Sequence, residues 1–514
     1  MFGSILTSRQ TSELHKAIVQ YLEPLLENDR SALDTVSRVL DVSPASGAAD
    51  DGIIPRYLEK KWSTVLRLQK KILDLENEVN SYKVLIEAGA GNLSGSSGAG
   101  GDFSGKNRLN WLPSASTIQL PTLSTQTVNS VAVHPLLPVV AAGCSDGSLL
   151  AWNLAAEDHV GGQKQIAAHT RGINRVRWSV LPIDLTRVNS EQYVLASCSL
   201  DLTIKIWEGD TLKHVRTLTG HDHTVSGVAF SPEDSKILYS VSRDKSVKIW
   251  DLYTGYCIRS FVGHSDWVRD LDVVLVNNSL GLETMRRSTL GEFVLTCSND
   301  QSVRLSHALL GVGLALLLGH THVVEAVRFL PMRSNKYVDK YILENMDRYT
   351  SYLLDAIVNN TLYADSLGFK YCVSAGRDNV MKLWLLPPPV LTPNRAPLPS
   401  SHNSSQGWHI ADLLGHQSWI RAIEVHPNGR YLLTASDDKT IRVWDLKSLP
   451  GLGKQTCVRV LQAHDGFVNS INLASIPQPK KKFLTAEDAE KWLESNMRCL
   501  LASAGTDNTV SIWS

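Results

Sequence analysis

From Trp111 onward the chain repeats one alternation of apolar and polar positions, in short runs separated by polar turns. The stretch ILYSVSRDKSVKIWD, Ile237 to Asp251, shows it plainly: Val247 and Ile249 alternate with polar neighbours, as Ile441 and Val443 do in another copy. A period of two with β-branched residues predicts half-buried strands. Each copy sets an Asp six residues before a Trp, at Asp146/Trp152, Asp201/Trp207, Asp244/Trp250, Asp378/Trp384, Asp438/Trp444 and Asp507/Trp513; Asp300 has Ser306 in the Trp place. Ser or Thr stands four residues before six of the Asp residues (Ser197, Ser240, Thr296, Ser374, Thr434, Ser503), and His169, His221, His264, His320, His416 and His464 precede six copies. Internal repetition of this kind fixes the architecture before any single residue is interpreted.

A carboxylate in the tight turn between two strands can hold local N–H groups. Once buried it needs partners, and a His from a neighbouring loop, a hydroxyl and an indole N–H can supply a chain of them. These residues resemble the WD-repeat β-propeller family, whose blades carry a His–Ser/Thr–Asp–Trp tetrad. The resemblance implies a mainly β fold of seven blades, with His221, Ser240, Asp244 and Trp250, or His416, Thr434, Asp438 and Trp444, as structural tetrads. The copy with Asp300 lacks the Trp, so Asp300 is expected to matter less than Asp244. The first copy lacks both His and hydroxyl, with Ala142 in place of the latter. The last Trp stands one residue before Ser514, so Thr117–Leu120 is expected to complete the seventh blade and remove two open sheet edges.

Ahead of the repeats the period changes. Residues 7 to 27 carry Leu14, Ile18, Tyr21, Leu22 and Leu25 at helical spacing, with Thr7 and Gln10 as a capping box. This piece resembles a LisH dimerisation motif, assigned to 1–42. Leu58, Lys61, Val65, Leu68, Ile72, Leu75, Val79, Tyr82 and Ile86 alternate by three and four, the seam of a coiled coil over 56–87. Val65, Leu68, Ile72, Leu75 and Val79 are its dimerisation candidates. A Gly/Ser linker over 88–108 leads to the propeller, 109–514. Gly100, Gly105 and Lys106 in that linker copy a phosphate-loop spacing, but Asn107 replaces the needed hydroxyl and no strand precedes it.

Composition removes several function classes. Lys and Arg number 51 against 51 Asp and Glu, so no overall field favours nucleic acid or an anionic membrane. The 7 Cys show no paired metal spacing and suit a reducing compartment. Leu309–Leu318, the most apolar run, is too short for a membrane span and is expected to be a buried blade strand. No catalytic residue, cofactor or metal is assigned: a hydrolase needs one Ser–His–Asp set, not five or six, and no nucleophile elbow accompanies any of them.

Insertions at 181–192, 275–290, 331–368, 474–497 and 387–408 all fall on connections of one propeller face. The Asp turns and Gly-His loops of the other face stay short, and their outward positions are unusual: Arg243 and Arg377 just before the Asp, Lys439 just after, Arg269 and Arg421 five past the His, and Trp267, Trp419 and Phe467 three past it. Arg and Trp are the common anchors of protein interfaces. The order of parts, with LEKKWSTVLRLQKKILDLENEV, TGHDHTVSGVA, TGYCIRSFVGHSDWVRD and CSNDQSVRL, resembles the lissencephaly/nuclear-distribution family of dynein regulators, in a fungal-type form. The resemblance implies a cytoplasmic homodimer that binds the cytoplasmic dynein heavy chain and a NudE-type coiled-coil adaptor at microtubule plus ends and spindle poles. It carries dynein contacts onto Arg243, Arg269, Arg377, Trp419 and Lys439, with Trp267, Arg421 and Phe467 as further rim contacts. Two other roles stay open, a non-catalytic subunit of a lipid esterase and a substrate receptor of a ubiquitin ligase; no F-box supports the second.

Overall fold

The structure is a computed structural model that divides into two compact units, Met1–Asn107 and Arg108–Ser514. Described residues are 15, 16, 18, 19, 22, 30–40, 113, 115–121, 126–155, 163–185, 191–209, 211–275, 291–345, 347, 369–390, 397–399, 407–449, 457–474 and 500–513. In the first unit His15, Lys16, Ile18, Val19 and Leu22 are helical and a helix runs Arg30–Val39. His15 Nδ1 lies 3.0 Å from the Leu40 carbonyl. The coiled-coil seam with Val65, Leu68, Ile72, Leu75 and Val79, and the Gly/Ser linker, lie outside the described residues.

Seven four-stranded antiparallel sheets make the second unit, each built from consecutive strands except the last. That sheet joins Val468–Leu473, Leu501–Gly505 and Thr509–Trp513 to Ile118–Pro121, which pairs Ile118 with Ile512 and Leu120 with Val510. A strand from the start of the unit thus closes the seventh blade, as the sequence predicts. Apolar strand positions pack the blade interiors: Trp152, Trp250, Trp384, Trp444 and Trp513 are almost fully buried.

The tetrads form as expected. In blade three His221 Nδ1 lies 2.7 Å from Asp244 Oδ2, Nε2 lies 2.7 Å from Ser240 Oγ, and Trp250 Nε1 donates to that hydroxyl at 2.8 Å. With Asp244 ionised, His221 Nδ1–H donates to it, Nε2 accepts the hydroxyl proton, and the hydroxyl lone pairs take the indole N–H. Every group is used, which is what burial demands. Blade six repeats this through His416, Thr434, Asp438 and Trp444.

Two expectations change. Asp300 keeps His264 at 2.9 Å and the Ser265 and Ser302 N–H groups at 3.0 Å each, so the missing Trp costs a donor at Thr296, the far end, and leaves the carboxylate as well held as Asp244. The run Leu309–Leu318 is not a buried strand. Its strand, Gly313–Leu318, is the outermost of blade four; Leu314 and Leu317 face inward while Leu309, Leu310 and Leu318 are exposed. An outer strand is covered on one side only, and a register shift that skips Leu314 breaks strict alternation here, so Leu314, Ala315 and Leu317 are buried together. In the insertion of blade five the structure adds a helix, Asn335–Glu344, which buries Val338, Tyr341 and Ile342 and is tied by Asp339 to Lys370 Nζ at 2.6 Å.

Candidate functional site: an arginine–tryptophan face

Two local devices aim side chains at the face of the Asp turns. The first is the residue after each Asp, held in the left-handed region at Gly147, Leu202, Lys245, Gln301, Asn379, Lys439 and Asn508. Hairpin turns of this hand fit the strand twist and exclude β-branched residues. Lys439 is therefore an exposed cation at a turn tip, and so is Lys245 in blade three. The sequence reading missed Lys245, although SRDKS and SDDKT share one pattern.

The second device is a β-bulge in the innermost strand of every blade. Each register shift skips the second residue: Asn129, Asn174, Ser226, Arg269, Glu325, Arg421 and Asn469. A bulge re-aims the side chain it carries. In blades four, five and six those side chains are charged.

Around them two similar clusters form. At the boundary of blades three and four, Trp267 is flanked by the Arg243 guanidinium at 4.6 Å and the Arg269 guanidinium at 5.7 Å, with the His223 ring tilted against it at 6.0 Å. At the boundary of blades five and six, Trp419 has Arg377 at 4.3 Å, Arg421 at 5.2 Å and His322 at 6.4 Å. Stacking of this kind fixes the cation plane and leaves its N–H groups for a partner. His223 and His322 were also missed, though GHDH and GHTH repeat the signal. Phe467 is exposed and joins neither cluster; the place of Arg243 and Arg377 is held in its neighbouring blade by Asp437.

Counter-charges temper the basic face expected from sequence. Arg421 is chelated by Asp437 through Nε and Nη2, both at 2.8 Å, so it is an anchored residue and not a free cation. Arg377 Nε donates to Glu325 at 2.6 Å, and Arg269 lies 3.9 Å from the other Glu325 oxygen while donating to Asn299 at 2.6 Å. Arg243, Arg269, Arg377, Trp419 and Lys439 share this face across four blades.

Below the mouth, the inner strands carry a second tier of charge that faces the ring axis. Arg328 bonds Asp270 at 2.7 Å and Arg175 bonds the same carboxylate at 3.2 Å. Arg177 reaches Glu424 at 3.1 Å, linking blade two to blade six. Burial alone would raise the pKa of Asp270, but Arg175 and Arg328 lower it; burial pushes Asp272 up to about 6 despite Arg328.

The WD domain, G-beta repeat family model matches residues 118–153, 163–208, 212–251, 255–305, 407–445 and 455–514. Nuclear distribution protein PAC1 of Meyerozyma guilliermondii is 53% identical over 529 residues, covering 99% of this chain and 100% of that protein. The PAC1 proteins of Scheffersomyces stipitis and Debaryomyces hansenii are each 51% identical, covering 100% and 99% of this chain and 99% of either protein. The chain belongs to the PAC1 family of nuclear distribution proteins. In this PAC1-family chain the hydroxyls of two tetrads are enclosed: Ser240 and Thr434 are fully buried, and each oxygen accepts an indole N–H. The first three strands of blade five fall outside the matched repeats, yet its tetrad of His320, Ser374, Asp378 and Trp384 is complete. Its first and second strands are parted by the long insertion, which interrupts the repeat in sequence but not in space. Among the described residues of this PAC1-family chain, no helix is long and apolar enough to cross a membrane.

Proposed function

We propose that this chain is a non-catalytic, dimeric regulator that binds the motor domain of cytoplasmic dynein through the Asp-turn face and modulates its microtubule attachment, in nuclear migration and spindle positioning. The observation that carries the reading is the pair of Arg–Trp–Arg clusters at Trp267 and Trp419, set on one short-looped face with Lys439. The names of the PAC1 relatives support the pathway. Pre-stacked guanidinium groups on indole platforms bind acidic surface at low entropic cost. A regulator of this kind acts by binding the motor's conformational states unequally. It would work in the cytoplasm at microtubule plus ends and spindle poles, alongside a NudE-type coiled-coil adaptor.

The direct test is motor binding by the Arg243→Ala/Arg377→Ala/Trp419→Ala triple variant, which should be lost while the protein remains folded. Wild-type motor affinity in that variant would falsify the assignment of this face. For assembly, light scattering should give twice the protomer mass for the full chain and one protomer for a fragment beginning at Arg108; equal oligomeric states would remove the seam at Val65, Leu68, Ile72, Leu75 and Val79 as the dimerisation element.

A further inference from the structure

Glu325 is the one bulge residue of the charged half that is acidic, and it sits between the two clusters. Its side chain is 9% exposed; one oxygen accepts from Arg377 Nε at 2.6 Å and the other lies 3.9 Å from Arg269 Nη1. Arg377 belongs to the Trp419 cluster and Arg269 to the Trp267 cluster, so a single carboxylate touches both. It also acts through space on Arg243 and Arg421. Nothing in the repeat demands a carboxylate there: the same bulge position holds Asn129, Asn174 and Asn469 in other blades, where a neutral amide suffices.

We infer that Glu325 is a built-in counter-ion of the docking face, with two separable effects: it positions the Arg377 guanidinium, and its charge limits how strongly the face attracts an acidic partner. The inference rests on the motor-binding reading above. The positioning effect follows from geometry. Arg377 donates its Nε–H to Glu325 at 2.6 Å and sets its guanidinium carbon 4.3 Å from the Trp419 ring centroid, so two separate contacts fix the side chain. Arg269 depends on Glu325 less, because Asn299 holds its Nε at 2.6 Å. The charge effect follows from place. A buried carboxylate at the centre of four arginines subtracts from the field that an approaching acidic surface meets, and such a field acts on association more than on dissociation.

Glu325→Gln and Glu325→Ala separate the two. The amide oxygen of Gln can still accept from Arg377 Nε, so Glu325→Gln keeps the geometry and removes the charge; Ala removes both. Association and dissociation rates would be measured with the full-length protein and a purified cytoplasmic dynein motor domain, from low salt to above physiological ionic strength. Glu325→Gln is expected to raise the association rate about two- to five-fold at low salt, the gain fading as salt screens it. Glu325→Ala is expected to raise the dissociation rate above that of Glu325→Gln by about five-fold or more, with Arg377 no longer held. A purely structural role would move melting midpoints and leave the salt dependence of association unchanged. If Glu325→Gln associates no faster than wild type at low salt, or if the Gln and Ala variants dissociate alike, the counter-ion role is wrong. Arg377→Ala runs beside them as a control on the face itself: weakened binding keeps the face and lets the Glu325 variants decide, whereas unchanged binding would overturn the face and this inference together.

Discussion

The ring carries the same bulge in every blade, yet its two halves use it differently. In blades seven, one and two the bulge residue is Asn, and each amide donates to a carbonyl of the next blade: Asn469 to Val128 at 2.9 Å, Asn129 to Ile173 at 2.9 Å and Asn174 to Val225 at 2.6 Å. In blades four, five and six the bulge residues are Arg269, Glu325 and Arg421, whose bonds hold other face residues instead. One half of the rim is stitched blade to blade. The other half gives up that stitch to carry charge at the surface. The axis network below, which joins blades two, four, five and six, ties together the half that lacks the amide bonds. A ring can thus specialise one arc for recognition when its cohesion is supplied from the channel.

Substitutions in the two arcs should break this contrast in a graded order. The largest loss of stability is expected for Asp270→Ala, which leaves Arg175 and Arg328 buried without their shared carboxylate; urea unfolding should show a cost of about 3–5 kcal/mol. A cost under about 1 kcal/mol would mean that the axis network does not hold the charged arc. Arg243→Ala, Arg377→Ala and Trp419→Ala should each weaken motor binding by about 2 kcal/mol or more. Their unfolding midpoints should stay close to wild type, with Arg377→Ala the most affected because Glu325 loses its partner. Next come the turn carboxylates. Asp244→Ala and Asp300→Ala should cost about 1–3 kcal/mol each and be equal within error, since both hold a His and two backbone N–H groups. A much milder Asp300→Ala would restore the importance of the missing Trp. Asn174→Ala should cost about 0.5–1.5 kcal/mol and leave motor binding untouched. If it weakened binding as Arg377→Ala does, the division into two arcs would fail.

The pH response should be the gentlest effect. Burial lowers the pKa of His169, His416 and His464 below 6.5, against the pull of their Asp partners. The unfolded chain then binds these protons first, so stability is full above pH 6.5 and declines as pH falls toward the folded values. Asp272, raised to about 6, has the opposite sign, contributing stability at low pH that is lost as pH rises through 6. Glu292, also raised by burial, shares the sign of Asp272. Removing one opposing carboxyl by Asp272→Asn should therefore make the urea midpoint fall more steeply than in the wild type between pH 6.5 and 5. A slope no steeper than wild type over that interval would reverse the assignment.

Blade number and the hydroxyl, Asp and Trp of the tetrads were legible because their signals are local: Asp, Trp and Ser/Thr lie within ten residues of one another. The recognition residues were legible as positions, but not their bonds. Asp437 reads as a neighbour of the turn Asp, and only the fold shows it chelating Arg421. The axis network was not legible. Arg177 and Glu424 are far apart in the chain and meet only when the ring closes, although charged residues at alternate positions in INRVRW (Arg175, Arg177) and VRDLDVV (Asp270, Asp272) mark strands that cannot be wholly apolar inside. Nor did the sequence reading find the helix Asn335–Glu344, whose apolar face, Val338, Tyr341 and Ile342, lies within an insertion noted only for its length.

The pairing of Ile118–Pro121 with Thr509–Trp513 also sets a schedule for synthesis. The first strand leaves the ribosome roughly 390 residues before its partner, and at about 5–20 residues per second that is a wait of roughly 20–80 s. Throughout it the nascent ring has an unpaired edge at each end, the kind of edge that recruits other strands. Blades can fold one by one as they emerge, but no intermediate is a finished propeller. Expression in cells should therefore depend on chaperones that shield strand edges, and codon changes that slow the last blade should lower the yield of soluble protein more than the same changes in the first.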